Sequence, residues 1–200
     1  MLCWVALALG SALCVLGAGC TAGGELSFDP TDPGGALPPA LPTHFAGTQG
    51  NHGWYYYQAP SGTQSYQTLV WEAAPAGTPY SITQCWGSGA STGALIAREK
   101  LCPGQAIDAV IAWHVPTSGL IQVNITLQAA HIDAAGDGVA VSIWQNAQRI
   151  TEPVIVPNNG QSQTITTMRT MQGGDTIYIR LDPQEIGGDW YNYSASIEQS

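Results

Sequence analysis

The chain has 200 residues, with five basic and fourteen acidic side chains giving a formal charge of −9, a length that suits one domain of ordinary size once terminal segments are set aside. Only 10% of the residues are charged and 44% are hydrophobic, with 24 Gly and 13 Pro, which reads as strands with many turns and excludes a helical bundle. The negative charge repels phosphate backbones and anionic headgroups, so nucleic acid is excluded as a partner and a membrane is reached only through an anchor.

Met1 to Gly19 form an apolar run rich in Leu, Ala and Val that ends in small residues directly before Cys20, the pattern of a cleavable export signal over residues 1–19. Leu16-Gly17-Ala18-Gly19-Cys20 resembles the lipobox of bacterial lipoproteins, which implies that Cys20 becomes the acylated N-terminus. Gly17 stands where that motif usually has leucine, and no Lys or Arg precedes the apolar run; an ordinary cleaved signal and an uncleaved anchor helix are the alternatives. The expected location is the outer membrane or cell surface as a lipoprotein, or otherwise secretion. Residues 20–43, with Asp29-Pro30, Asp32-Pro33-Gly34-Gly35 and Pro38-Pro39, read as a flexible linker.

From residue 44 to 200 short apolar alternations are separated by Gly, Pro, Asn and Asp, the mark of an all-β domain. In chain order the strand candidates are Trp54 to Tyr57, Tyr66 to Trp71, Ala106 to Val115, Leu120 to Leu127, Val139 to Ile143, Ser162 to Thr170, Ile177 to Leu181 and Tyr191 to Ile197. The clearest is Leu120 to Leu127, where Ile121, Val123, Ile125 and Leu127 alternate with Gln122, Asn124 and Thr126, one face core and the other wet. Gln145-Asn146-Ala147-Gln148 sits where a hairpin turn is expected, with Ala147 awkward if that position needs positive φ. Ala94 to Leu101 is the one helix-compatible stretch, long enough for a single turn. About nine or ten strands suit a sandwich.

Export would remove Cys3 and Cys14 and acylation would consume Cys20, leaving Cys85 and Cys102 as an expected disulfide. A metal site is the competing idea, but two cysteines without CxxC spacing are too few ligands. Asp133, Asp137, Asp182, Glu185 and Asp189 fall near strand ends and could hold a structural Ca²⁺, although solvated turn carboxylates are the preferred reading. Asp108 and Asp175 read as turn or strand-start residues. His44, His52, His114 and His131 show no zinc spacing, and there is no G-x-S-x-G, so no catalytic or metal residue is assigned.

Trp54, Tyr55, Tyr56, Trp71, Trp190 and Tyr191, together with Tyr57 and Trp86, are the side chains most open to a binding role, because flat aromatic faces stack on the C–H faces of sugar rings. Packing in the sandwich is the competing reading for each. Trp113 and Trp144 lie among apolar neighbours and are assigned to the core or its edge.

An ordered series of motifs runs through the domain: Phe45-Ala46-Gly47-Thr48-Gln49-Gly50 leading to Trp54-Tyr55-Tyr56, Pro103-Gly104, Asp108-Ala109-Val110, Trp113-His114-Val115-Pro116-Thr117-Ser118-Gly119, Gly136-Asp137-Gly138-Val139 to Asn146, Gly174-Asp175-Thr176-Ile177-Tyr178 and Asp189-Trp190-Tyr191. Together they resemble a secreted bacterial β-sandwich module, carbohydrate-binding-like and often appended to polysaccharide-degrading or surface proteins. Cys102 replaces the histidine usual before Pro-Gly, Ala147 the usual turn glycine, and Tyr193 a terminal Trp. The resemblance implies a jelly-roll-like, galactose-binding-like β-sandwich that binds a polysaccharide or other glycan without catalysis; no cofactor is expected beyond the Ca²⁺ considered above, and the chain is expected to be a monomer. The alternatives are a structural or adhesive envelope module with protein partners, and a polysaccharide lyase or hydrolase with an unrecognised site.

Overall fold

The structure is a computed structural model that describes residues 41, 45–89, 92–131, 136–185, 187 and 189–200. The expected export signal, Cys20, His44, Asp133 and all of the expected linker but Leu41 lie outside the described residues. After a 3-10 turn at Asn51–Gly53 come β1 (Trp54–Pro60), β2 (Gln67–Thr68), β3 (Val70–Ala73), β4 (Gln84–Gly87), β5 (Leu95–Ile96), β6 (Lys100–Cys102) and β7 (Ile107–His114). They are followed by β8 (Gly119–Ala129), β9 (Val139–Gln145), β10 (Gln148–Arg149), β11 (Val154–Val156), β12 (Ser162–Met171), β13 (Thr176–Asp182) and β14 (Tyr191–Gln199).

These strands form two antiparallel sheets, as the alternating sequence predicts. Sheet I has the order β10-β9-β13-β7-β1-β2, with β11 also on β9, and sheet II the order β12-β8-β14-β6-β5-β4-β3. The long strands change sheet at each step, β7 in sheet I, β8 in II, β9 in I, β12 in II, β13 in I and β14 in II, which is a jelly-roll-like path. Ile121, Val123, Ile125 and Leu127 of β8 are fully buried and meet Ile111, Val141, Ile143 and Ile179 of sheet I in one core cluster. The stretch expected as a helical turn, Ala94 to Leu101, is instead the β5–β6 hairpin, with Ile96 opposite Leu101. Leu95, Ile96 and Leu101 all lie buried there, so tertiary burial overrides the helix propensity of the segment.

Polar side chains lock the strands together. The Gln49 amide accepts from the Tyr56 N–H at 2.9 Å and donates to the carbonyls of Tyr56 and Leu69, both at 3.0 Å, tying β1 to the residue between β2 and β3. Asp175 accepts from Gln145 Nε2, Asn146 Nδ2 and the Gln172 N–H at 2.6–2.9 Å, which holds its carboxyl below the usual range. Asn146 in turn accepts from the Thr176 N–H at 2.9 Å. In this hairpin the left-handed residue is Asn146, at φ 51°; Ala147 escapes the positive φ, and asparagine tolerates that conformation.

Of the two readings for Asp108, the strand start holds, since it is the second residue of β7. It sits 2% exposed inside β7, where Arg180 of β13, itself 4% exposed, donates to it from Nε at 3.0 Å and again from Nη2. Ser61 Oγ donates to its other oxygen at 2.6 Å. Burial pushes the Asp108 carboxyl up, opposed by the Ser61 and Arg180 contacts. Breaking such a pair strands a buried charge, whereas replacing both partners does not. Arg180→Ala is expected to cost about 3–5 kcal/mol, and the Asp108→Ala/Arg180→Met double variant clearly less. Urea unfolding of both measures this, and an equal loss in the two would show that the pair is not coupled.

Candidate functional site

The aromatic residues singled out in the sequence part company in the fold. Along β1 the side chains alternate, so Trp54 and Tyr56 turn inward and are 1% exposed, while Tyr55 and Tyr57 face out of sheet I. Tyr191 is fully buried and its hydroxyl donates to the Val156 carbonyl at 3.1 Å. Trp54, Tyr56 and Tyr191 are therefore corrected to core residues, with no ring face left for a ligand. Trp86 is buried as well, stacked 5.1 Å from Tyr56. Trp71 stands at the core margin against Phe45 and Trp86. A Cβ on Gly47 would come within 2.8 Å of the Trp71 indole, which explains the glycine after Phe45-Ala46. Trp113 belongs to the core, and Trp144 is half-buried on the outer face of sheet I under the Arg180 guanidinium, 5.2 Å away.

Tyr55 joins a cluster the sequence reading did not assemble. On the outer face of sheet I, Tyr55 and Tyr57 stack 6.3 Å apart, and Tyr66 lies parallel to Tyr178 at 4.3 Å. The segment from Ser61 to Tyr66 straps this face: Ser61 binds Asp108, Gln64 Nε2 donates to the Ala147 carbonyl at 3.0 Å, and Tyr66 covers Tyr178. His114 packs 4.5 Å from Tyr55, and burial lowers its pKa. His52 lends its carbonyl to Trp113 Nε1 at 3.2 Å, and His131 is exposed at the end of β8.

Trp190 lines a concavity. A groove of about 590 Å³ opens among the β3–β4 loop, the loops before β5 and after β6, and the segment between β13 and β14, lined among others by Thr78, Pro79, Leu95, Gln105, Glu185 and Trp190. Its floor depends on glycine. A Cβ on Gly104 would collide with the Thr92 carbonyl, and one on Gly187 would reach 2.6 Å from the Gln105 Cα, so three loops close on one another only at those residues. Trp190 is half-buried against a small apolar cluster of Cys85, Leu95, Ala97 and Cys102. Tyr80, 39% exposed, meets the Trp190 ring edge-on at 5.9 Å, and the Lys100 ammonium sits 4.7 Å from the Tyr80 ring centre. Tyr80 and Ser81 hold φ of 63° and 55°, a strained pair of left-handed residues at the rim. Tyr80 and Gln105 had no binding assignment from sequence, and Glu185 only that of a possible Ca²⁺ ligand; the one available signal for Tyr80 was a single aromatic inside a Pro- and Gly-rich loop.

The expected Cys85–Cys102 disulfide is corrected as well: both are free, buried thiols. Cys102 pairs with Leu95 of β5, and Trp86, next to Cys85, pairs with Ile96, so β5 lies between the two cysteines. Two strand spacings hold their backbones roughly 10 Å apart, beyond the ~4.4–6.8 Å Cα span of a disulfide. Of the carboxylates considered for Ca²⁺, Asp189 accepts from the Gly138 N–H and Asn158 Nδ2, both at 3.3 Å, Asp137 from the Glu185 N–H at 2.9 Å, and Asp182 from the Gln184 N–H at 2.9 Å. Among the described residues no three His, Cys, Asp or Glu side chains are grouped to hold a metal ion.

No family model and no curated protein matches this chain. Among solved structures, it is similar to a family 35 carbohydrate binding module from Clostridium thermocellum, at 12% identity over 74% of this chain and 98% of that one, with a TM-score of 0.36. A carbohydrate binding module from Cellvibrio mixtus lichenase 5A, in complex with cellotriose, shares 11% identity over 82% and 99% of the two chains at a TM-score of 0.38. Rabbit GITRL also matches, at 13% identity over 62% and 89% with a TM-score of 0.32.

Burial pushes the Cys85 thiol up to about 11 and Cys102 up to about 12, where little thiolate forms at neutral pH. Both are expected to resist iodoacetamide in the folded protein and to alkylate fully in denaturant without prior reduction. Peptide-resolved mass spectrometry checks this, and a pair that needs reductant would restore the disulfide.

Proposed function

We propose that this chain is an exported, non-catalytic glycan-binding module that takes a sugar chain in the Trp190 groove. The observation that carries the reading is a half-exposed indole set in a groove of about 590 Å³, a volume within the ordinary range for small-ligand sites. A hexose ring laid on the indole buries its C–H face, and the exposed polar groups of Thr92, Gln105 and Glu185 around the rim supply the hydrogen bonds that fix its orientation. Tyr80 braces the indole from the side. Export over residues 1–19 and acylation of Cys20 complete the proposal, supported by the apolar leader and the small residues before that cysteine.

Binding to a panel of insoluble polysaccharides, with product analysis alongside, tests the groove. Trp190→Ala is expected to weaken retention at least about tenfold, a loss of ~1.4 kcal/mol, while Tyr55→Ala on the other sheet leaves it unchanged. Retention untouched by Trp190→Ala, or released reducing or unsaturated ends, would sink the proposal, the latter in favour of an enzyme. For the anchor, a clickable fatty acid is expected to label the wild type and not Cys20→Ala; equal labelling of the two rules out acylation at that cysteine.

A further inference from the structure

The free edges of the two sheets are unequal. β2 and β10 have two residues each, β11 three and β3 four, whereas β12, at the end of sheet II, has ten. Short edge strands are one of the devices by which sandwiches avoid pairing with neighbours, along with proline, lysine and bulges. β12 has none of these. Its sequence, Ser162-Gln163-Thr164-Ile165-Thr166-Thr167-Met168-Arg169-Thr170-Met171, holds one charge and no Pro, Gly or Lys. Its register with β8 runs residue for residue from Ser162 opposite Gln128 to Met171 opposite Gly119, without a bulge. Threonine-rich strands of this kind have high β propensity. Among the described residues no strand pairs with its other edge, and beside Arg169 and Thr170 it borders an open groove of about 570 Å³.

We infer that β12 pairs antiparallel with β12 of a second copy, about a two-fold axis at Thr166, so that sheet II continues from one protomer into the next. The register follows from sheet geometry and charge. Directly opposed residues in an antiparallel pair share a face, and the outward residues of β12 are Ser162, Thr164, Thr166, Met168 and Thr170, all exposed. Only even-to-even pairing keeps them on one side. Centred on Thr166, Thr164 opposes Met168, Ser162 opposes Thr170, and Arg169 opposes the Gln163 amide, so like charges never face each other. Centring on Thr167 instead sets Arg169 against Ile165, which is buried on the core side at 7% exposed, and is disfavoured. Met168, 55% exposed, gains cover from the second copy. The interface carries little charge, while each chain carries −9, so association strengthens as salt screens the general repulsion. This pairing departs from the monomer expected from sequence, and it lies at the end of sheet II away from β4–β6 and the Trp190 groove, so it does not depend on glycan binding.

Sedimentation velocity of the purified full chain from low to high micromolar concentration is expected to show its mass doubling, more readily at high salt. Thr166→Lys, which places a charge at the two-fold while leaving the β12–β8 pairing in place, is expected to keep the chain monomeric with an unchanged far-ultraviolet spectrum. A short bis-maleimide is expected to join Thr166→Cys into covalent dimers above the wild-type background and to leave Ser162→Cys largely monomeric, because only Thr166 meets its own copy. A chain that stays monomeric throughout, or a dimer indifferent to Thr166→Lys, overturns the inference; in the second case a different surface, or a strand of another protein, is the partner of that edge.

Discussion

The constraint on which the rest of this structure depends is the alternation of its long strands between two sheets. From β7 onward successive long strands never pair with each other: β7 lies in sheet I and β8 in sheet II, and the chain goes back and forth through β9, β12, β13 and β14. Each strand must bury one face against a sheet that is completed much later in the chain. A fold of such non-local pairings gains little from local contacts until the whole core closes. It also carries every connection to the rims of the sandwich, where loops from distant parts of the sequence meet, and the groove around Trp190 is one such meeting place.

That demand explains why the most distinctive polar residues act as locks. Gln49 satisfies both backbone groups of Tyr56 and one of Leu69. Asp175 and Asn146 clasp the turns flanking β13 and β9 with four hydrogen bonds. Gly104 permits backbone contact with the Thr92 carbonyl that no side chain would allow. Asp108 and Arg180 cross-link β7 and β13 on a face turned away from the core. All of these positions but Arg180 belong to the Gln-Gly, Asn, Gly-Asp, Pro-Gly and Asp-Ala-Val motifs of the sequence, so its motif series encodes much of how the sandwich is fastened. Of the residues at the rim of the groove, Tyr80 and Glu185 follow no motif, whereas Trp190 stands within one.

What could be read from the sequence follows the same division. Period-two alternation placed Ile121 to Leu127 and Ile177 to Leu181 correctly, because burial of one face leaves a direct mark on the residue order. The aromatic residues resisted, since Trp54 and Tyr55 are both large aromatic side chains with a single polar group, and only the register of β1 decides which of them meets the core. The ion pair of Asp108 went unread because its partner stands 72 residues away, and a buried ion pair leaves no local pattern. The cysteines failed for a related reason: counting thiols identifies a possible pair, but the intervening strand β5 appears only once Ile96 is paired with Leu101 and with Trp86.

The two outer faces then divide the remaining labour. Sheet I turns out a cluster of Tyr55, Tyr57, Tyr66 and Tyr178, yet these rings pack on one another beneath the Ser61 to Tyr66 strap and beside Arg180, so the cluster behaves as a second small core. Across β12, β8 and β14, sheet II carries the opposite solution, hydroxyls and amides bonded to one another, as in Thr126 to Thr164 at 2.8 Å and Thr166 to Asn124 at 2.9 Å. A chain with so few charges keeps its surface wet through such neutral polar groups, and they lack the repulsion by which charged side chains guard an edge. Where the sheet narrows to the short strands β4 to β6, an aromatic ring stands beside an open groove. Trp190 is held there because its other side must cover Cys85, Leu95 and Cys102, so the same packing that fixes the indole also presents it.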